Sequence, residues 1–162
     1  MKTIVNDAMG AVVWAKDHAA EYRGDPARIA LGGHSAGAQL SELTAVACRD
    51  PYFAPSLKSE HGSDACVQAV IPASGYFEFE PEWGQWNEWL LGTTRSADPE
   101  LYIKCAPMSY DLHGLPPHFV IFGENDMHRA RGEAWARKLA EAGVTVETFM
   151  APGAEHHWIM WH

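Results

Sequence analysis

The stretch RIALGGHSAGAQL, residues 28–40, constrains this chain more than any other. A short apolar run ends in two glycines, and Leu40, Leu43 and Ala47 then fall on one helical face before Asp50 and Pro51 end the pattern. The reading is strand, tight turn, helix. Gly33, Ser35 and Gly37 form the pattern G-x-S-x-G at that turn, where flanking side chains would collide with the adjoining strand and helix. Ser35 then projects from a sharp corner, as a nucleophilic hydroxyl must. The plainer reading is a glycine turn in which Ser35 only caps the following helix. The strand before it and the helix after it favour the nucleophile.

The rest of the chain repeats that alternation. Ala8, Val12, Ala15 and Ala19 recur at helical spacing within residues 6–22, and Gly24, Asp25 and Pro26 stop the pattern. CVQAVIPASG from Cys66, HFVIFG from His118 and VTVETFM from Val144 read as three further strands. Trp135, Leu139 and Ala142 mark a helix between the last two, with Gly143 placed for a left-handed cap. Strands alternating with helices predict an α/β fold with a short, mostly parallel sheet of about four strands. Nearly half the residues are apolar, enough to fill one core, so residues 1–162 are expected to form a single domain. Residues 78–117, rich in Trp, Glu and Pro and without a clear strand, are expected to be a cap-like insertion over the sheet's edge.

A serine hydroxyl is a poor nucleophile at neutral pH unless a histidine takes its proton and an acid holds that histidine in place. VIFGENDMHR puts Asp126 just beyond the third strand, where catalytic groups collect in open parallel sheets, with Glu124 as a rival. APGAEHHW follows the fourth strand and offers His156 or His157, the loop register favouring His156. Alone, Asp126 would be a helix-capping carboxylate and the histidines a solvated tail. The order Ser35, Asp126, His156, each after a successive strand, carries the joint reading.

PEWGQWNEWLLG sets Trp83, Trp86 and Trp89 three residues apart, an aromatic plate if helical. With His34 beside the serine, these are candidate pocket residues; ordinary packing of the insertion explains the tryptophans equally well. Glu78, Glu80, Glu82 and Glu88 disfavour an anionic substrate there unless Arg95 or Lys104 offsets them.

Several partners are disfavoured. A formal charge of −9 repels nucleic acid and anionic membrane surfaces. Residues 1–22 lack the continuous apolar core of a signal peptide or membrane span, so a cytoplasmic location is expected. Cys48, Cys66 and Cys105 show no C-x-x-C pair and read as reduced, buried thiols. His156 and His157, with His128 and His162 nearby in sequence, lack the spacing of a metal motif, so no metal is expected, and no cofactor.

On the residues DPARIALGGHSAGAQL, IPASGYFEFEP, PPHFVIFGENDM and GVTVETFMAPGAEHHW, the chain resembles the α/β-hydrolase superfamily over about residues 7–157, and within it the small serine esterases and the arylformamidases. The resemblance implies Ser35 as nucleophile, Asp126 as acid, His156 as general base and the Ala36 backbone N–H as an oxyanion donor. It also implies further strands and an H-G-G-type oxyanion loop ahead of the first helix, which these residues do not contain. The strand after Arg28 is therefore expected to be a sheet edge, open to pairing with a second copy in a dimer. The expected activity is hydrolysis of small to medium carboxylic esters. The alternatives are an arylformamidase acting on N-formyl amides and a weak or inactive fragment that needs a partner chain.

Overall fold

The computed structural model describes residues 1–53, 59, 61–79 and 84–160. Its elements are α1 (Lys2–His18), β1 (Ala30–His34), α2 (Ala36–Ala47), β2 (Ala69–Ala73), α3 (Gly84–Leu91), α4 (Pro99–Lys104), β3 (His118–Gly123), α5 (Arg129–Glu141) and β4 (Val146–Ala151). The four strands form one parallel sheet in the order β1-β2-β3-β4. Each strand thus lies beside its sequence neighbour, and all the carboxyl ends meet at one edge of the sheet.

The alternation of side chains along the strands decides where the core sits. Val70, Val120 and Phe122 point to one face, where they meet Val12 of α1, Ala38, Ala45 and Val46 of α2 and Trp135 and Leu139 of α5. Ile71, Phe119 and Phe149 point to the other and remain 37–45% exposed. The first helix starts four residues earlier than the periodicity suggests and tightens into a 3₁₀ turn at Ala19–Tyr22. Arg23, at φ +61°, and the glycine after it close that turn. Gly143 takes the left-handed conformation after α5, at φ +73°.

A polar knot ties α2, β3 and α5 together inside this core. Glu42 is fully buried and accepts the Trp135 Nε1–H at 2.8 Å, while His118 Nε2 lies 2.9 Å from its other oxygen. His118 also donates Nδ1–H to the Pro116 carbonyl at 2.7 Å. A buried carboxylate persists only with such partners. The apolar periodicity of α2 hides this knot, because Glu42 reads as a solvent-facing charge.

The cysteines correct the expectation of three reduced thiols. Cys48 is bonded to Cys66, with Cα atoms 5.3 Å apart, and only Cys105 is free. The physical reason is topological: α2 runs back along the sheet, so its C-terminus arrives where the approach to β2 begins. Disulfides persist in oxidising compartments, a different setting from the one a reduced-thiol reading assumes. Cys105 is buried, and burial pushes its thiol up to about 11, which leaves it unreactive at neutral pH. No described helix is long and apolar enough to cross a membrane.

The described part of residues 78–117 is anchored at several points. Phe79, Leu91, Tyr102, Cys105 and Ala106 form a small buried cluster, and Lys104 pairs with Asp50 at 2.5 Å. Arg95 donates to the Phe79 carbonyl and lies over the Tyr102 ring. Both cations considered as charge offsets are thus occupied structurally. Trp83 lies outside the described residues. Trp86 and Trp89 sit edge to face on one another, each 65% exposed, and do not form a buried plate; Asn87 and Leu91 are the buried residues of α3.

Replacing Glu42 by Ala strands the Trp135 and His118 donors in the core, and a loss of about 3–5 kcal/mol is expected. Urea unfolding at pH 7 measures it; a change below about 1 kcal/mol would show that the knot contributes little.

Candidate active site

The carboxyl edge of the sheet brings Ser35, His156 and Asp126 into one chain of contacts. Ser35 Oγ lies 2.9 Å from His156 Nε2, and His156 Nδ1 lies 3.0 Å from Asp126 Oδ1. Asp126 is buried and the His156 side chain is 12% exposed, so solvent reaches the relay mainly from the serine end. A ring donating Nδ1–H to the carboxylate presents a bare Nε2 to the hydroxyl, the arrangement in which an alcohol proton can be taken.

The local backbone explains the position of Ser35. It stands between β1 and α2 at φ +56°, ψ −115°, a strained conformation for a residue with a side chain. Its amide donates to the Ala73 carbonyl at 2.9 Å, and its own carbonyl accepts from Ala38 and Gln39, which lock the corner. A Cβ on Gly33 would lie 2.4 Å from the carbonyl carbon and oxygen of Gly37, so this crossing requires glycine. Ala36 follows as the first residue of α2, where backbone N–H groups have no helical acceptor and are open to an oxyanion.

Asp126 and His156 are held by a second crossing. A Cβ on Gly123 would come within 2.3 Å of the Ala154 carbonyl oxygen, so the ends of β3 and the loop after β4 touch backbone to backbone. Asn125 N–H donates to Ala154 at 2.8 Å and its side chain to Gly153 at 3.3 Å. Glu124, the rival acid, is turned elsewhere: its carboxylate accepts the Gly153 N–H at 2.6 Å. His34, considered as a pocket residue, has a ring nitrogen 2.7 Å from the His156 carbonyl and donates to it, so it orients the histidine loop. His157 is exposed and packs its ring on those of His34 and His156. These supports escape sequence reasoning because Glu124 and Gly153 are 29 residues apart and His34 and His156 are 122 apart, with no spacing rule to join them.

Burial by itself would raise the Asp126 carboxyl, but the nearby Ser74 hydroxyl, the His128 N–H at 2.8 Å and the His156 ring outweigh it and hold the carboxyl below its usual 3.8. Ser74 acts there through proximity, because neither its Oγ nor Asp126 Oδ2 completes a hydrogen bond among the described residues. His128 lies edge-on to His156 at 4.8 Å, and Tyr76 packs on His128 at 5.8 Å, closing the relay's flank. Beside the serine, Ala36, Gly37 and Leu40 of α2, Ile4 of α1 and Leu90 of α3 line an apolar cavity of about 190 Å³.

A depressed carboxyl stabilises the fold fully above its unfolded value of 3.8, and that contribution is lost as pH falls through the lower folded value. Asp126→Asn is therefore expected to be less stable than the natural chain at pH 7, with the gap narrowing below pH 3.8. Urea unfolding at pH 7, 5 and 3 reads the gap; an equal gap at all three would mean that the charge of Asp126 contributes nothing.

The family described as having the alpha/beta hydrolase fold matches residues 1–160. The chain is 32% identical over 160 residues to the esterase LipQ of Mycobacterium tuberculosis, a match covering 93% of this chain and 37% of LipQ. It is 32% identical over 174 residues to the carboxylesterase NlhH of the same organism, covering 96% of this chain and 51% of NlhH. Among solved structures, the propionate-bound esterase 2 of Thermogutta terrifontis superposes with a TM-score of 0.72 at 26% identity, covering 94% of this chain and 54% of that one. The chain thus spans about half, or less, of the length of these relatives.

Proposed function

From a chain that belongs to the α/β-hydrolase family, we propose a serine hydrolase that cleaves carboxylic esters of small acyl groups through an acyl-enzyme on Ser35. The observation that carries this reading is the unbroken relay from Ser35 Oγ through His156 to Asp126, at 2.9 and 3.0 Å. His156 Nε2 takes the Ser35 proton as Oγ attacks the ester carbonyl, and the negative oxygen forms beside the Ala36 N–H. The same nitrogen returns the proton to the departing alcohol. It then takes a proton from water, whose oxygen attacks the acyl carbon, and returns that proton to Ser35 Oγ as the Oγ–acyl bond breaks and the acid leaves. Asp126 stays ionised throughout and stabilises the imidazolium.

The apolar cavity of about 190 Å³ beside Ala36 and Gly37 supports a small acyl chain, because pockets for larger ligands are typically about 300 Å³ or more. The propionate in the Thermogutta esterase is a ligand of that size class. Loss of a single oxyanion donor typically costs about 10²–10³ in turnover, so a measurable rate with the Ala36 N–H as the one donor assigned here is consistent with the relay.

The test is labelling with a fluorophosphonate probe followed by mass spectrometry. Ser35 of the natural chain is expected to be labelled, and Ser35→Ala and His156→Ala are expected to lose labelling, by about 10³-fold or more for the histidine variant. Absence of labelling in the natural chain overturns the reading and favours a fragment that needs a partner. Hydrolysis of p-nitrophenyl acetate against an N-formyl aniline then separates ester from formamide preference.

The partner proposed for β1 is a second copy of the chain. Ala30 and Gly32 of this edge strand are exposed, and unpaired strand edges invite another strand. Sedimentation velocity is expected to show a dimer; an active monomer at micromolar concentration would exclude one.

A further inference from the structure

Three histidines meet at the open side of the relay. One ring nitrogen from each of His34, His156 and His157 lies within 4.8 Å of the others, and the ring centroids are 4.6–5.7 Å apart. His34 ends β1, while His156 and His157 follow β4, so no local sequence spacing announces the cluster.

Two of the three rings already have the support that metal-bound histidines need. A ligating imidazole donates its other N–H to a carboxylate or carbonyl, which fixes the tautomer and makes the ligating nitrogen more basic. His156 makes that contact with Asp126 at 3.0 Å, and His34 makes it with the His156 carbonyl at 2.7 Å. His157 is exposed, so its ring can turn inward without breaking a core contact. Metal–nitrogen bonds of about 2.1 Å at the tetrahedral angle set ligand nitrogens about 3.4 Å apart, a contraction that the exposed His157 side chain supplies by turning and the His34 and His156 rings by small tilts. Three neutral imidazoles suit a borderline cation such as Zn²⁺, and the chain's net charge of −9 favours any cation over an anion.

We propose that His34, His156 and His157 form a site for Zn²⁺ that shuts the relay reversibly. The cation takes the His156 Nε2 lone pair that otherwise faces Ser35. The Ser35 hydroxyl keeps its proton, no covalent bond is made or broken in the chain, and removal of the metal restores the relay. The binding site stands on its own geometry; the inhibition rests on the esterase reading above.

Isothermal titration with zinc chloride tests binding without turnover. The natural chain and Ser35→Ala are expected to bind one zinc each, and His157→Ala and His34→Ala to bind it at least about tenfold more weakly. In p-nitrophenyl acetate hydrolysis, saturating zinc is expected to slow the natural chain more than tenfold, with EDTA restoring the rate. His157→Ala should keep the metal-free rate and escape this inhibition. Zinc binding that is unchanged in both histidine variants overturns the proposal, as does inhibition that persists equally in His157→Ala. If zinc binds through the three histidines but no chain turns over ester, the site stands and the esterase reading fails.

Discussion

The near-contact of two backbones at Gly33 and Gly37 is the constraint on which the rest of the carboxyl edge depends. With 2.4 Å between a notional Gly33 Cβ and the Gly37 carbonyl, no larger residue lets β1 turn so abruptly into α2. That abruptness holds Ser35 at a positive φ, and the strain is balanced by fixed hydrogen bonds to Ala73, Ala38 and Gln39. A rounder corner would let the hydroxyl point back into the helix, and the relay would have no first member.

A matching contact at Gly123 and Ala154 does for Asp126 and His156 what the first corner does for Ser35. The loop after β3 and the loop after β4 are joined by four hydrogen bonds from Glu124, Asn125 and Gly153 to one another and to neighbouring carbonyls. His34 then ties the histidine loop across the sheet to β1. Rigid support of this kind is what a relay with hydrogen-bond tolerances requires, since about 1 Å of misplacement can cost about a hundredfold in rate. The same closeness has a second consequence: it leaves two correctly oriented imidazoles beside an exposed third, which is a chelating geometry as well as a catalytic one.

Below this edge, the molecule is asymmetric. The helices cover one face of the sheet, where Glu42, His118 and Trp135 cross-link the layers, while Ile71, Phe119 and Phe149 face outward on the other. A two-layer arrangement with one exposed apolar face fits a chain that spans about half of its relatives.

Much was legible in the sequence because the relevant physics is local. The G-x-S-x-G corner, the four strands and the order of Ser35, Asp126 and His156 follow from apolar periodicity and turn chemistry, which act over a few residues. Whether Trp86 and Trp89 were buried was not legible, since three-residue spacing describes a helix face without saying what lies opposite; they proved exposed. The Cys48–Cys66 bond, the burial of Glu42, the diversion of Glu124 to Gly153 and the tie from His34 to His156 were decided only by tertiary structure. Each depends on distances between segments remote in sequence, and those distances are set by packing the strands and helices together, a property that no single segment contains.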